Sequence, residues 1–170
     1  MRRLVIIAAV AVSAAAQGVA RDEFLDFLVL EHNEVRARHH APPLVADEKL
    51  SRYARAWAIH LAASGKFEHS HGPYGENLYF TASSSPVPAW DAERAAIAGW
   101  EDEEALYHYG GNDSAHENGH FTQVIWKNSV RLGCGMARGE KDGLKAVYVV
   151  CNYDPPGNVI GDFRRNVLPY

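Results

Sequence analysis

Residues 131–153 read RLGCGMARGEKDGLKAVYVVCNY, two runs that meet at Lys141-Asp142-Gly143-Leu144. Asp-Gly at the centre of a two-residue connection suits a type I′ hairpin turn, whose backbone twist matches that of the flanking strands. The spacing predicts strands near Arg131–Ala137 and Lys145–Tyr153. In the second, Val147, Val149, Cys151 and Tyr153 share one face, and Tyr148, Val150 and Asn152 the other. Counting back from the turn sets Cys134 opposite Cys151 at a non-hydrogen-bonded pair. Such pairs bring Cα atoms to about 4.5 Å, near the short end of disulfide geometry. An exported chain with these two cysteines is expected to bridge them. Two buried thiols are the other reading, because a bulge or a longer loop would change the register.

Outward from the hairpin the pattern is helical. Leu25, Leu28, His32 and Val35 mark a first helix over 22–40, ended by Ala41-Pro42-Pro43. Asp47 is an N-cap candidate for a second helix running to about Ser64. Leu50, Tyr53, Ala54, Trp57, Ala58 and Leu61 form its buried face, and Gly65 suits the C′ position. Gly75 to Phe80 reads as a short strand and Ala82 to Pro88 as a Ser- and Pro-rich loop. A third helix is expected from about Ala89 to Tyr107. Gly110-Gly111-Asn112-Asp113 is another loop, and Phe121 to Trp126 a short helix. Periodicity alone therefore predicts mixed α and β content without a topology.

Residues 1–20 read as a secretory signal peptide. Arg2 and Arg3 precede the apolar run Leu4–Val12, which is too short to span a bilayer, and small residues follow at Ala16, Gly18 and Ala20. Cleavage is expected between 16 and 20, leaving a domain over 21–170; an uncleaved anchor is the alternative. The leader carries two Arg and no acid, so its loss takes 17 basic residues to 15 against 21 acidic, and net charge from −4 to −6. That balance argues against nucleic acid as a partner. No later segment is long and apolar enough for a membrane span.

Five stretches carry a family resemblance: His32-Asn33-Glu34-Val35-Arg36, Phe67-Glu68-His69-Ser70, Gly75-Glu76-Asn77-Leu78, Gly119-His120-Phe121-Thr122-Gln123-Val124-Ile125-Trp126, and Tyr148 through Cys151-Asn152-Tyr153 to Gly157-Asn158. The last two are long and specific, and together the five extend from residue 32 to 158. In this order they resemble the CAP superfamily, which joins cysteine-rich secretory proteins, antigen 5 and the plant pathogenesis-related-one proteins. The resemblance implies a three-layer α-β-α sandwich with a small antiparallel sheet between helices, and a secreted, extracellular protein.

It also implies a cleft of two His and two Glu, which fall here on His69, Glu76, Glu103 and His120. Glu103 is chosen among Glu101, Asp102, Glu103 and Glu104 because Ala96, Trp100, Glu103 and Tyr107 share a helix face, and because the family's Glu follows a Trp by three residues. The other acids are expected to be solvated. Two carboxylates brought together are costly unless a cation or a protonated His relieves them. Imidazole and carboxylate both ligate divalent cations, so Zn, Mg or Ca is a candidate cofactor. A hydrogen-bonded cluster that only orients the helices is the structural alternative. His71 is read as a solvent-facing loop residue. His32 and Arg36, one turn apart, are expected to tie the first helix to loops, and Asn77 and Asn152 to satisfy buried backbone groups.

His116-Glu117-Asn118-Gly119-His120 also reads H-E-x-x-H, the zincin motif, which requires a helix there. Its glycine-rich lead-in and central Asn-Gly argue against that. No G-x-S-x-G nucleophile elbow is present. Asn112-Asp113-Ser114 is a glycosylation sequon.

The leading functional expectation is an extracellular lipid- or sterol-binding, defence-type effector, with Phe80, Val87 and Trp90 lining an apolar crevice. The alternative is a metal-dependent hydrolase, protease or esterase, using the cleft, with Glu76 or Glu103 as base. No catalytic residue is assigned. A third reading comes from the resemblance to plant relatives, which end in a released segment of form P-x-GN closed by Pro-Tyr: a signalling precursor that releases Pro155–Tyr170, with Val159–Leu168 longer than in those segments.

Overall fold

The hairpin lies at the centre of the sheet. A computed structural model describes residues 22–111 and 116–170; the leader and the sequon lie outside them. β3 (Arg131–Lys141) and β4 (Leu144–Asp154) pair antiparallel with Lys141 opposite Leu144 and Cys134 opposite Cys151. Asp142 and Gly143 take φ of 52° and 79°, as a type I′ turn requires. Cys134 and Cys151 form a disulfide with Cα atoms 4.1 Å apart. Both strands run longer than the hydrophobic pattern alone marks, because Arg138 to Lys141 continue the ladder up to the turn.

β2 (Gly75–Ser83) pairs antiparallel with the outer side of β4, and β1 (Val45–Ala46) pairs parallel with β3, giving the order β1-β3-β4-β2. Two expectations change. The sheet is mixed rather than purely antiparallel, since the two-residue β1 joins it in parallel. The strand expected to end at Phe80 continues to Ser83, because Ala82 and Ser83 pair with Ala146 and Lys145.

Helices cover both faces, giving the α-β-α sandwich. α1 (Glu23–Arg38) is capped by Asp22, and α2 (Glu48–Ser64) by Asp47, whose Oδ1 accepts from Leu50 N at 2.9 Å. Gly65 closes α2 in the left-handed region at φ 68°. α2 lies on the face that carries Leu78, Tyr148 and Val150, where Ala54, Ala58 and Leu61 are buried. It lies directly on the β3 backbone: a Cβ at Gly133 or Gly135 would stand 2.2 Å from Ser51 N or 2.3 Å from Arg55 N.

α1, α3 (Ala89–Asp102) and α4 (Gly119–Val124) cover the opposite face, where Leu28, Trp100, Phe121, Trp126, Val149 and Tyr153 form the larger core. The third helix ends earlier than expected. α3 stops at Asp102, and Glu103–Leu106 is a 3₁₀ turn. The short helix begins at Gly119 rather than Phe121, and α5 (Phe163–Asn166) completes the fold. Among the described residues no helix is long and apolar enough to cross a membrane.

Candidate functional site

The site stands at the free edge of β2. Glu76, second residue of that strand, is carried toward the loop that leaves α2. Its Oε1 accepts from Ser70 N and from His69 Nδ1, both at 2.8 Å, and its Oε2 accepts from Asn152 Nδ2 at 3.3 Å. Burial pushes the Glu76 carboxyl upward, but the hydrogen bonds from His69, Ser70 and Asn152 outweigh it and hold it below its ordinary value.

Glu103 makes a parallel arrangement from the other side of the strand. Its Oε2 accepts from the backbone N–H groups of His120 (2.9 Å) and Phe121 (3.2 Å), and its Oε1 accepts from His120 Nδ1 at 2.6 Å. Asn118, at the N-cap of α4, makes no side-chain capping bond, so Glu103 caps this helix from a distant part of the chain. The carboxylate serves two amides at the start of α4 and one imidazole at once.

The four residues therefore form two His–Glu pairs. Asn77, the neighbour of Glu76, donates through Nδ2 to His120 O at 3.0 Å and so ties the rim of one pair to the other. In both pairs the imidazole is the outer group: the His69 and His120 side chains are 52% and 32% exposed, those of Glu76 and Glu103 6% and 19%. Facing carboxylates, both Nδ1–H groups are spent, and in the neutral imidazole Nε2 carries the free lone pair. A carboxylate behind Nδ1 is how metal-ligating histidines are commonly oriented. The donor types thus fit a divalent cation, although among the described residues no three His, Cys, Asp or Glu side chains group closely enough to hold one.

Beside His120 and Glu103 an open hollow of about 320 Å³ is lined by Phe67, Leu78, Tyr79, Phe80 and Trp100. The Trp100 indole lies nearly parallel to the His120 ring at 6.2 Å and donates Nε1–H to Leu78 O at 3.2 Å. Of the residues expected to line one apolar crevice, only Phe80 lies here. Val87 packs against the larger core, and Trp90, 60% exposed, lines a separate groove with Glu31 and Arg94.

The other acids next to Glu103 are not simply solvated. Glu101 pairs with Arg38, and Glu104 Oε1 accepts from Tyr109 OH at 2.6 Å; Asp102 alone is exposed. His71 sits on the exposed loop at φ 54°. The zincin reading fails on backbone geometry. His116–Asn118 is a 3₁₀ turn, Asn118 at φ −129° separates it from α4, and no continuous α-helix carries both histidines.

The remaining motif residues support the site. Arg36 is fully buried and donates to four carbonyls: Pro42, Val124, Trp126 and Ser129. His32 donates Nδ1–H to Leu28 O, and its Nε2 accepts from Tyr153 OH, both at 2.7 Å; Asn77 in turn donates to that hydroxyl at 3.1 Å. Sequence reasoning missed the Ser70 amide on Glu76 and the capping role of Glu103; neither leaves a local signal in the chain.

Comparisons with known proteins agree with this architecture. The model of the cysteine-rich secretory protein family, CAP, matches residues 29–153. The chain is 40% identical to pathogenesis-related protein 1 of Arabidopsis thaliana over 158 residues, 92% of this chain and 91% of that protein. It is also 40% identical to a probable pathogenesis-related protein of Candida albicans over 147 residues, 86% of this chain and 67% of that one. Among solved structures, Na-ASP-1 matches with a TM-score of 0.65 at 27% identity, over 82% of this chain and 40% of that longer one. The chain belongs to the CAP superfamily.

Proposed function

We propose that this protein is an extracellular, defence-type binding protein whose binding face is the hollow and the two His–Glu pairs at the edge of β2. The observation that supports it is the juxtaposition of apolar walls with an imidazole, His120, whose Nε2 remains unspent. Secretion is the reading of the leader, and the defence role follows the names of the plant and fungal relatives. The ligand proposed for the hollow is a lipid or sterol. A volume of about 320 Å³ is at the lower end of the ligand-site range, ~300–1,000 Å³, and open enough for part of a long apolar molecule to project.

Nε2 of His69 and His120 would be the first ligands of a divalent cation, with Glu76 and Glu103 behind them. Imidazole favours zinc over magnesium or calcium. When bound, such an ion supplies positive charge and Lewis acidity. Weak binding is expected, since the four side chains are not drawn into one chelating group. Binding is preferred to hydrolysis because each carboxylate is already engaged by three donors, which leaves neither as a free base.

Calorimetric titration with zinc tests the cation. His69→Ala with His120→Ala is expected to abolish the heat of binding at these pairs, and an unchanged isotherm would overturn the assignment. Retention of labelled sterol or fatty acid in albumin-free buffer tests the hollow. Phe80→Asp is expected to lower it, and a protein that retains neither ligand is not a lipid binder.

A further inference from the structure

We infer that His39 Nε2 and Glu104 Oε2 are the two protein ligands of a further zinc site, away from the β2 edge. It goes beyond the function proposed above and shares no residue with the His–Glu pairs.

His39 is the C-cap of α1, and its side chain is fully buried. Phe121 and Tyr170 meet the ring edge-on at 5.3 and 5.1 Å and fix its plane. Its Nδ1 donates to Leu168 O at 3.1 Å. A carbonyl can only accept, so Nδ1 carries the hydrogen and the neutral ring turns a lone pair outward at Nε2. That atom is sealed from solvent and makes no hydrogen bond among the described residues. What faces it is a second acceptor, Glu104 Oε2, 3.7 Å away. Two acceptors opposed in a buried place are costly unless something positive lies between them.

Distance selects the positive group. A proton on Nε2 would draw the pair into a charge-assisted hydrogen bond of about 2.7–2.9 Å. Two ligands of one ion, each bonded at about 2.0–2.2 Å, stand about 3.3–3.8 Å apart at tetrahedral to trigonal angles. The observed separation is that of co-ligands. Both groups are also braced from behind, as metal ligands are. Leu168 O holds the far nitrogen of His39, and the Tyr109 hydroxyl donates to the far oxygen of Glu104 at 2.6 Å. Arg38, the cation next to His39 in the chain, is paired with Glu101 and so does not neutralise Glu104.

An open hollow of about 360 Å³ lies beside Glu104, lined by Glu101, Asp102 and Ala105, and gives a cation an acidic way in. Among the described residues no third His, Cys, Asp or Glu closes on the pair, so water would complete the coordination. An imidazole in the set favours zinc over magnesium or calcium. An ion held here would join the end of α1, the 3₁₀ turn after α3 and the C-terminal tail at one point.

The test uses the intact protein carrying His69→Ala and His120→Ala, which removes the outer imidazoles of the other pairs, so the two assignments fail or stand separately. Calorimetric titration with zinc chloride is expected to show one remaining equivalent. Glu104→Gln, which keeps an acceptor for Tyr109, is expected to abolish it, and Tyr109→Phe to weaken it roughly tenfold or more. In nitrogen-15 spectra, zinc is expected to shift His39 Nε2 while Nδ1 keeps its hydrogen. No remaining equivalent would overturn the proposal. So would zinc that binds without moving the His39 resonances, or binding indifferent to Glu104→Gln. A hydrogen found on His39 Nε2 at saturating zinc would overturn it in favour of an imidazolium–carboxylate pair.

Discussion

His32 and Arg36, one turn apart on α1, have no exposed surface. His32 is satisfied only as the neutral tautomer that donates to Leu28 O and accepts from Tyr153 OH. Burial, reinforced by the Arg36 charge and opposed by the Leu28 carbonyl, lowers its pKa from 6.5 to about 4. The unfolded chain therefore takes up a proton near pH 6.5 that the fold refuses until about pH 4. Stability from this group is level above pH 6.5, falls as pH drops toward 4 by about 3 kcal/mol, and is level again below. His32→Gln is expected to flatten the melting temperature between pH 6.5 and 4, and an unchanged pH profile would show that His32 is not the cause. Glu76 adds an acid-side term, because its depressed carboxyl stabilises the fold above its ordinary 4.5 and ceases to as pH falls below. Arg36 hydrogen-bonds four carbonyls, and burial lowers its pKa to about 10. Arg36→Met takes the side-chain donor from all four and, among the described residues, leaves only Trp126 O another, from Ser129 N, for an expected loss of about 3–5 kcal/mol in urea unfolding. The one-turn spacing was legible in the chain. The identity of the four carbonyls was not, since three of them lie about 90 residues away.

At the scale of elements, the close seat of α2 on β3 depends on Gly133, Gly135 and Gly139, which face the helix where side chains would collide with Ser51, Arg55 and Ala62. Gly135→Ala would force α2 off the sheet, and a loss of about 1–3 kcal/mol or more is expected by thermal melt. Wild-type stability in that variant would mean the helix can shift at little cost. The hairpin and the facing cysteines could be read, because an unbulged two-residue Asp-Gly turn leaves one alignment; the bridge between Cys134 and Cys151, rather than two thiols, is what the structure adds. Both long helices could be read too, α1 through its apolar stripe and the Pro42-Pro43 stop, α2 through the capping Asp47 and Gly65. The two-residue β1 could not, since it carries no periodicity of its own. The end of α3 was misjudged for a different reason. The face through Trp100, Glu103 and Tyr107 stays continuous, and a helical face does not register that Glu103 is pulled out of line to cap α4.

Over the whole molecule, the sheet's two faces carry separate cores and its β2 edge carries the site. The tail belongs to the fold. Phe163 meets Trp126 edge-on at 5.0 Å, Asn166 receives Lys127 N and Asn128 N, and Leu168 O accepts from buried His39. Phe163 and Val167 are almost fully buried. A chain cut after Asp154 loses both from the core, about 3–6 kcal/mol, and its melting temperature is expected to fall by roughly 10–20 °C. That outcome would weigh against release of Pro155–Tyr170 from an otherwise intact domain; an unchanged melt would restore that reading. Arg36 has a last consequence, in time rather than in energy. Its guanidinium is filled only when residues 124–129 meet α1, so its contacts are expected to form on the late side of the folding barrier. Groups completed that late act as a latch on escape from the native state. Arg36→Met should thus hasten opening far more than it slows assembly, shortening the lifetime of a protein read as working outside the cell, where a chain once opened can be cut before it closes again.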